Sequence, residues 1–257
     1  MIPPGTGSEA PSTGPTDPQK TAASPTFTAS ARTFGIASAI GTLVLSVFYA
    51  LTLAAGLLTL PSPDQPIGDP LFTILEILII LTTPAMVAMM VAVHAWAAPE
   101  TKTFSLMAIV FMGLMSVLTC SNHFLRLTLG RQAEFTGQPW MPLFLEFRWP
   151  SVIYSLDILA WDVFFALAVF SAAPVFGGTR LAQWIRALLL LSGGLALAGL
   201  SGIITGDMQL RTIGVIGYSG VFPAATALLA ILLHRTPPTR YPYPPAPRPE
   251  PAPPEAR

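Results

Sequence analysis

The sequence predicts an all-α fold: a polytopic membrane helix bundle of six transmembrane helices between disordered Pro-rich tails. Three observations carry this reading. Hydrophobic residues make up 52% of the 257-residue chain and charged residues 10%, where a soluble domain carries about a quarter charged. The apolar residues fall into six long blocks, each enough to cross about 30 Å of hydrocarbon at roughly 20 residues per crossing. These blocks lack the alternation of barrel strands, and only helices or closed barrels span a bilayer.

Residues 1–31 are rich in Pro, Ser, Thr and Gly. They carry too little apolar surface to offset the entropy of ordering, so a disordered N-terminal tail is expected. No basic start followed by an apolar core is visible there, so the first membrane helix is expected to act as the insertion signal. The transmembrane domain is expected over 32–235, with segments near 33–60, 70–97, 103–128, 150–177, 181–204 and 212–234. The connection 129–149 is the longest and contains PWMPLFLEFRWP. Its mixture of Trp140, Trp149 and charges predicts a segment lying in the membrane interface. In segment five, Gly194, Ala198 and Gly202 form a small-residue stripe for close helix packing. In segment six, Gly214, Gly217 and Gly220 followed by Pro223 predict tight packing or a kink. Residues 236–257 are nearly half proline and are expected to stay solvated in polyproline II conformations. The two halves share no motif, so an inverted-repeat transporter gets no direct support.

The net charge is zero, and nothing in it points to a nucleic-acid partner. A lone cysteine, Cys120, excludes an internal disulfide and an all-cysteine metal site. Basic residues predict the orientation. With both termini in the cytoplasm, the inside holds Lys20, Arg32, Lys102, Arg180, Arg186, Arg235, Arg240, Arg248 and Arg257. The outside then holds Arg126, Arg131, Arg148 and Arg211. Nine against four favours that orientation.

Helical rise then places the ionisable residues in depth. Glu76 falls about 9 Å below the outer end of segment two, and His123 lies at a similar level in segment three. Asp157 falls roughly 10 Å and Asp162 roughly 18 Å deep in segment four. Glu76, Asn122, His123, Arg126 and Asp157 thus share one level in the outer leaflet, with Arg148 just above. An ionised group in hydrocarbon costs about 2.5–3.5 kcal/mol, so these residues should face each other or a wet cavity. Arg126 is expected to pair with Asp157, with Glu76 as the alternative, and His123 to pair with Glu76. On a regular helix Asp157 and Asp162 stand about 140° apart. Asp162 is therefore expected to find a separate partner or to be protonated.

Two uses of the cluster follow. It is a clamp joining three helices, or it is a pocket for a small molecule, ion or proton. His123 titrates near neutral pH, so a pocket there is expected to respond to mild acid. Glu76, His123 and Asp157 are permitted metal ligands, but no His-x-x-x-His or Glu-x-x-His accompanies them. His94 and His123 fall at opposite faces and cannot share a haem, so neither a metal nor another cofactor is expected. His94 and His234 read as interface anchors. No Gly-x-Ser-x-Gly elbow is present, Ser121 points away from His123, and Cys120 in an apolar helix is expected to be unreactive.

The run from SNHFLRLTLGRQ through WPSVIYSLDILAWDVFFALAVFSAAPVFGG resembles uncharacterised six-helix membrane proteins of bacteria. The resemblance rests on the His-x-x-Arg end of segment three and the Leu-Asp-x-Leu-Ala-Trp-Asp run of segment four. It implies this architecture and a bacterial plasma-membrane location, and it carries no function. The leading expectation is a non-enzymatic binding, sensing or transport module, with membrane lipid and a small molecule or ion as its partners. The alternatives are an intramembrane enzyme acting on lipid through His123 with Asp157 or Glu76, and a purely structural or assembly protein. A cavity reaching Glu76, His123 and Asp157 would separate the first two from the third. The sequence does not reveal the oligomeric state.

Overall fold

The computed structural model describes residues 27–60, 67–135 and 137–239. The tails expected to be disordered lie outside the described residues, apart from 27–31 and 236–239. The described residues are all-α, with no strand. Six helices among them are long and apolar enough to cross a membrane: α1 (Ala29–Leu58), α2 (Leu71–Trp96), α3 (Pro99–Arg131), α5 (Val152–Val175), α6 (Arg180–Thr205) and α7 (Met208–Arg235). The short α4 (Met141–Leu145) sits in the connection between α3 and α5.

Local capping sets the boundaries that hydropathy leaves open. Helix α1 begins four residues before its apolar block because Thr28 Oγ1 accepts the Ala31 N–H at 3.2 Å. Ser151 does the same for Tyr154 at 3.1 Å, and Thr179 for Ala182 at 3.2 Å. At the start of α7 the Asp207 carboxylate accepts the Gln209 N–H at 3.0 Å. That cap opens a 3-10 turn, Met208–Arg211, ahead of the apolar block that starts at 212. The extra turn carries Arg211 into the bundle, where it is buried.

Consecutive crossings pack side by side, and the inner face of the ring closes where Phe222–Arg235 of α7 meets α1. We call the end at which the chain enters and leaves the terminal end; the opposite end, carrying the connection after α3, is the loop end. At the terminal end Arg32 Nε donates to the Leu233 carbonyl at 3.2 Å, and its Nη2 to that of His234. His94 Nδ1 pairs with Ser105 Oγ at 2.8 Å between α2 and α3. The core above them is closely packed: Met89, Met90, Met112, Phe165 and Phe176 are buried. The void there measures about 10 Å³.

Helices α6 and α7 touch backbone to backbone. A Cβ on Gly199 would stand 3.1 Å from Gly214 Cα, and one on Gly217 would stand 2.7 Å from the Ser192 carbonyl oxygen. The packing face of α6 is Ser192, Gly193, Ala196 and Gly199. This corrects the expected stripe, because Gly194 and Ala198 are exposed and only Gly202 is buried. Four-residue spacing fits two adjacent turns, but 3.6 residues per turn carries a strict four-residue row off the contact face.

Two crossings leave α geometry. Leu159–Phe164 in α5 and Ile216–Val221 in α7 are π-helical. Each wide turn admits one extra residue, a device found often at functional sites. Both lie beside the cavity described next.

Candidate functional site

At the loop end the helices part around a cavity of about 880 Å³. Helices α1, α2, α3, α5 and α7 and the connection Glu146–Trp149 supply its wall, while α6 stays behind. The volume is that of a small-molecule pocket, which commonly measures 300–1,000 Å³.

Four helices bring a chain of polar groups to the cavity. Glu76 of α2 and His123 of α3 meet at 2.6 Å, Oε2 to Nδ1, and both are buried. The pairing occupies one ring nitrogen and leaves Nε2 directed at Asp157, 4.0 Å from its Oδ1. The imidazole stacks on Phe147 of the connection, with ring centres 4.7 Å apart, which fixes its plane. Asp157 Oδ2 accepts from Arg211 Nη2 at 2.7 Å, and Asp162 Oδ2 accepts from Arg211 Nε at 3.2 Å. The guanidinium of Arg211 also lies over the Tyr154 ring, 4.5 Å from its centre. A planar fork with five donors suits this double pairing better than an ammonium would. Asp162 Oδ1 is buried and has no hydrogen-bond partner; it packs against Gly214, where an added Cβ would lie 2.9 Å from it.

The structure therefore keeps some expectations and overturns others. Glu76, His123 and Asp157 converge as their shared level implies, and the His123–Glu76 pair forms. The expected Arg126 pair with Asp157 or Glu76 does not form: Arg211 holds Asp157 and His123 holds Glu76. Asp157 and Asp162 do not point apart. The π-turn between them winds five residues into little more than one turn, so both carboxylates reach the same guanidinium. Asp162 thus shares its cation with Asp157 and does not find the separate partner expected of a regular helix. Asn122 is buried, and its Nδ2 donates to the Ile153 carbonyl at 3.2 Å. It ties α3 to the first turn of α5 and is not part of the cavity wall.

Arg126 stands differently from the paired charges beside it. It lines the cavity and lies over the Phe72 ring, 5.2 Å from its centre. Its Nε is buried without a hydrogen-bond partner, and no carboxylate among the described residues comes within 4.0 Å of it. Arg131, one turn further on, is satisfied by Asp69 Oδ1 at 3.1 Å and Thr73 Oγ1 at 2.5 Å. Arg148 and Glu146 flank the mouth.

Sequence reasoning missed Arg211, since it precedes the last apolar block and counts naturally among the external basic residues. One signal pointed to it. Glu76, Asp157 and Asp162 outnumber the cations within the six blocks, and extending the last block by one turn supplies the missing cation. Among the described residues no three His, Cys, Asp or Glu side chains converge as metal ligands would. Cys120 sits against Thr83, Sγ to Oγ1 at 3.3 Å, in the packing of α2 on α3. Comparison of the chain with protein-family models, with curated proteins and with solved structures found no match.

Proposed function

We propose that this integral membrane protein is a non-enzymatic binding or transport module, and that its ligand occupies the loop-end cavity. The observation that carries the reading is the cavity itself: about 880 Å³ of space reaching Glu76, His123 and Asp157. A clamp needs those groups in contact but needs no room beside them. Buried charges facing space rather than packed side chains are the usual mark of a ligand path in a membrane protein. In this reading the protein lies in a bacterial plasma membrane with both termini cytoplasmic, so the cavity faces the outside. Burial of Arg211 supports the orientation, because removing it from the external basic residues leaves three of the four against nine inside.

The test fills the cavity. Ser219 lines it from α7, and Ser219→Trp should occupy part of the space. Protein purified in mild detergent from native membranes is extracted, and the small molecules released from wild type and variant are compared by mass spectrometry. A molecule retained by wild type at about one per chain and reduced tenfold or more in the variant supports the reading. Identical extracts from two equally folded proteins would leave the clamp as the role of the cluster.

A further inference from the structure

Resting on that reading, we infer that the occupant is a membrane amphiphile with an anionic headgroup. Its head binds Arg126 and Arg148, and its tail runs into the cavity from the lipid between α1 and the loop-end half of α7.

Of the ionisable groups on or just behind the wall, Glu76 hydrogen-bonds His123, and Arg211 is shared by Asp157 and Asp162, so no cation is left over at that level. Arg126, Arg148 and Glu146 remain, and none of the three has an ion pair among the described residues. Two cations against one carboxylate leave the mouth positive. Arg126 is the sharper case, since a buried guanidinium N–H without an acceptor costs the desolvation of that group. A carboxylate or phosphate would satisfy it in the geometry that guanidinium favours.

Beyond the polar belt the wall is mainly apolar, through Ile79, Met86, Trp161 and Phe222, with the hydroxyls of Thr82 and Ser219 among them. Glu76 and Met86 both line the cavity, and ten residues of helix separate them by about 15 Å. A small hydrophilic anion would fill the mouth and leave that depth empty; an acyl chain fills both. The proposed lateral entry follows the packing. Helix α1 packs along Phe222–Arg235, whereas Met208–Val221 makes no comparable contact with it. Tyr49 and Leu53 of α1 and Val215 and Ser219 of α7 line the cavity from its two sides.

The experiment uses the full chain in a neutral detergent, titrated with dioleoyl phosphatidylglycerol, dioleoyl phosphatidylcholine or sn-glycerol 1-phosphate, with bound adducts read by native mass spectrometry. Wild type should retain one phosphatidylglycerol at about tenfold lower concentration than phosphatidylcholine, because both phosphates can accept from Arg126 but the choline ammonium cancels the charge that the two guanidinium groups attract. Arg126→Gln and Arg148→Gln should each erode that preference, and Arg126→Lys should keep part of it. Arg148 is exposed, so its variant tests the inference even where Arg126→Gln lowers stability. Arg131→Gln, outside the cavity and paired with Asp69, should leave the preference unchanged; an equal loss there would indicate general surface attraction and overturn the site. Equal retention of both lipids overturns the anionic headgroup while leaving the cavity reading intact. Glycerol phosphate binding as tightly as the lipid overturns the tail. Retention of neither lipid nor glycerol phosphate overturns the inference; if Ser219→Trp also leaves the native extract unchanged, the proposed function falls with it.

Discussion

The two ends of this bundle are made from the same helices and obey opposite rules. At the terminal end, methionine, alanine and phenylalanine pack so closely that the remaining void is about 10 Å³, and the polar groups there fasten backbone ends. At the loop end the same crossings enclose about 880 Å³ and turn ionisable side chains toward it. Polar residues in a membrane domain are costly wherever they sit. The terminal end avoids that cost by exclusion. The loop end offsets it through a network in which each buried carboxylate has a cation or an imidazole. The comparison teaches that stability at one end resides in volume filled and at the other in charges matched.

The sharpest way to break the comparison is to unmatch the charges. Arg211→Met leaves Asp157 and Asp162 buried around an apolar group, and breaking a buried pair from one side costs about 3–5 kcal/mol. Its thermal midpoint in detergent should fall further than that of any single truncation in the apolar core. Adding Asp157→Leu and Asp162→Leu should recover much of the loss. Failure of the triple variant to recover would mean that the network does not act as one unit.

Volume is the next test. Met112 is fully buried at the terminal end, and Met112→Ala should cost about 2–5 kcal/mol because it opens a cavity in a filled core. Val215 lines the loop-end cavity and is only partly buried. Val215→Ala widens a space that already exists and should cost under about 1 kcal/mol on the scale of core truncations. Equal losses in denaturant or thermal unfolding would deny that the two ends differ in packing.

The smallest expected effect lies at the rim. Asp69 is exposed, and its carboxyl is held below the usual carboxylate range, first by the hydrogen bond from the Thr73 hydroxyl and then by the Arg131 charge. A depressed folded-state value means that this pairing contributes fully above the ordinary aspartate value, about 3.9, and is lost as pH falls through the depressed one. Between pH 5 and 3 wild type should therefore lose slightly more stability than Asp69→Asn, in unfolding curves run side by side. A steeper acid loss in the variant would reverse the sign and remove the pairing from the account.

Much of the fold was legible in the sequence. Six apolar blocks located six crossings, with ends displaced by one to four residues where Thr28, Ser151, Thr179 and Asp207 cap. Helical rise brought Glu76, His123 and Asp157 to one level, and they meet there. Rise is a property of any helix, so depth transfers from sequence reliably. Facing does not, because it depends on every turn in between being regular. Nothing in LAWDVF marks a wide turn, so the sequence did not show that Asp157 and Asp162 reach one guanidinium. Arg211 was hidden for another reason: hydropathy starts a helix where lipid does, and Asp207 starts this one a turn earlier. Arg126 lost its expected partner as a result of both.

The π-turn at Leu159–Phe164 has a consequence for how this molecule can change over generations. The extra residue acts as a phase shifter between two inward stripes of α5: Asp157 on one side, and Phe165, Ala168 and Val169 on the other. Losing a single codon inside that turn would not simply shorten the crossing. It would rotate one stripe against the other by about 100°, the angle of one α-helical residue, turning either the acid out of the pocket or the core into the lipid. Ordinary substitutions at Leu159 or Val163 change one side chain, whereas an insertion or deletion within the turn rewrites the address of every residue beyond it. The reading frame of this one turn is inherited along with the site.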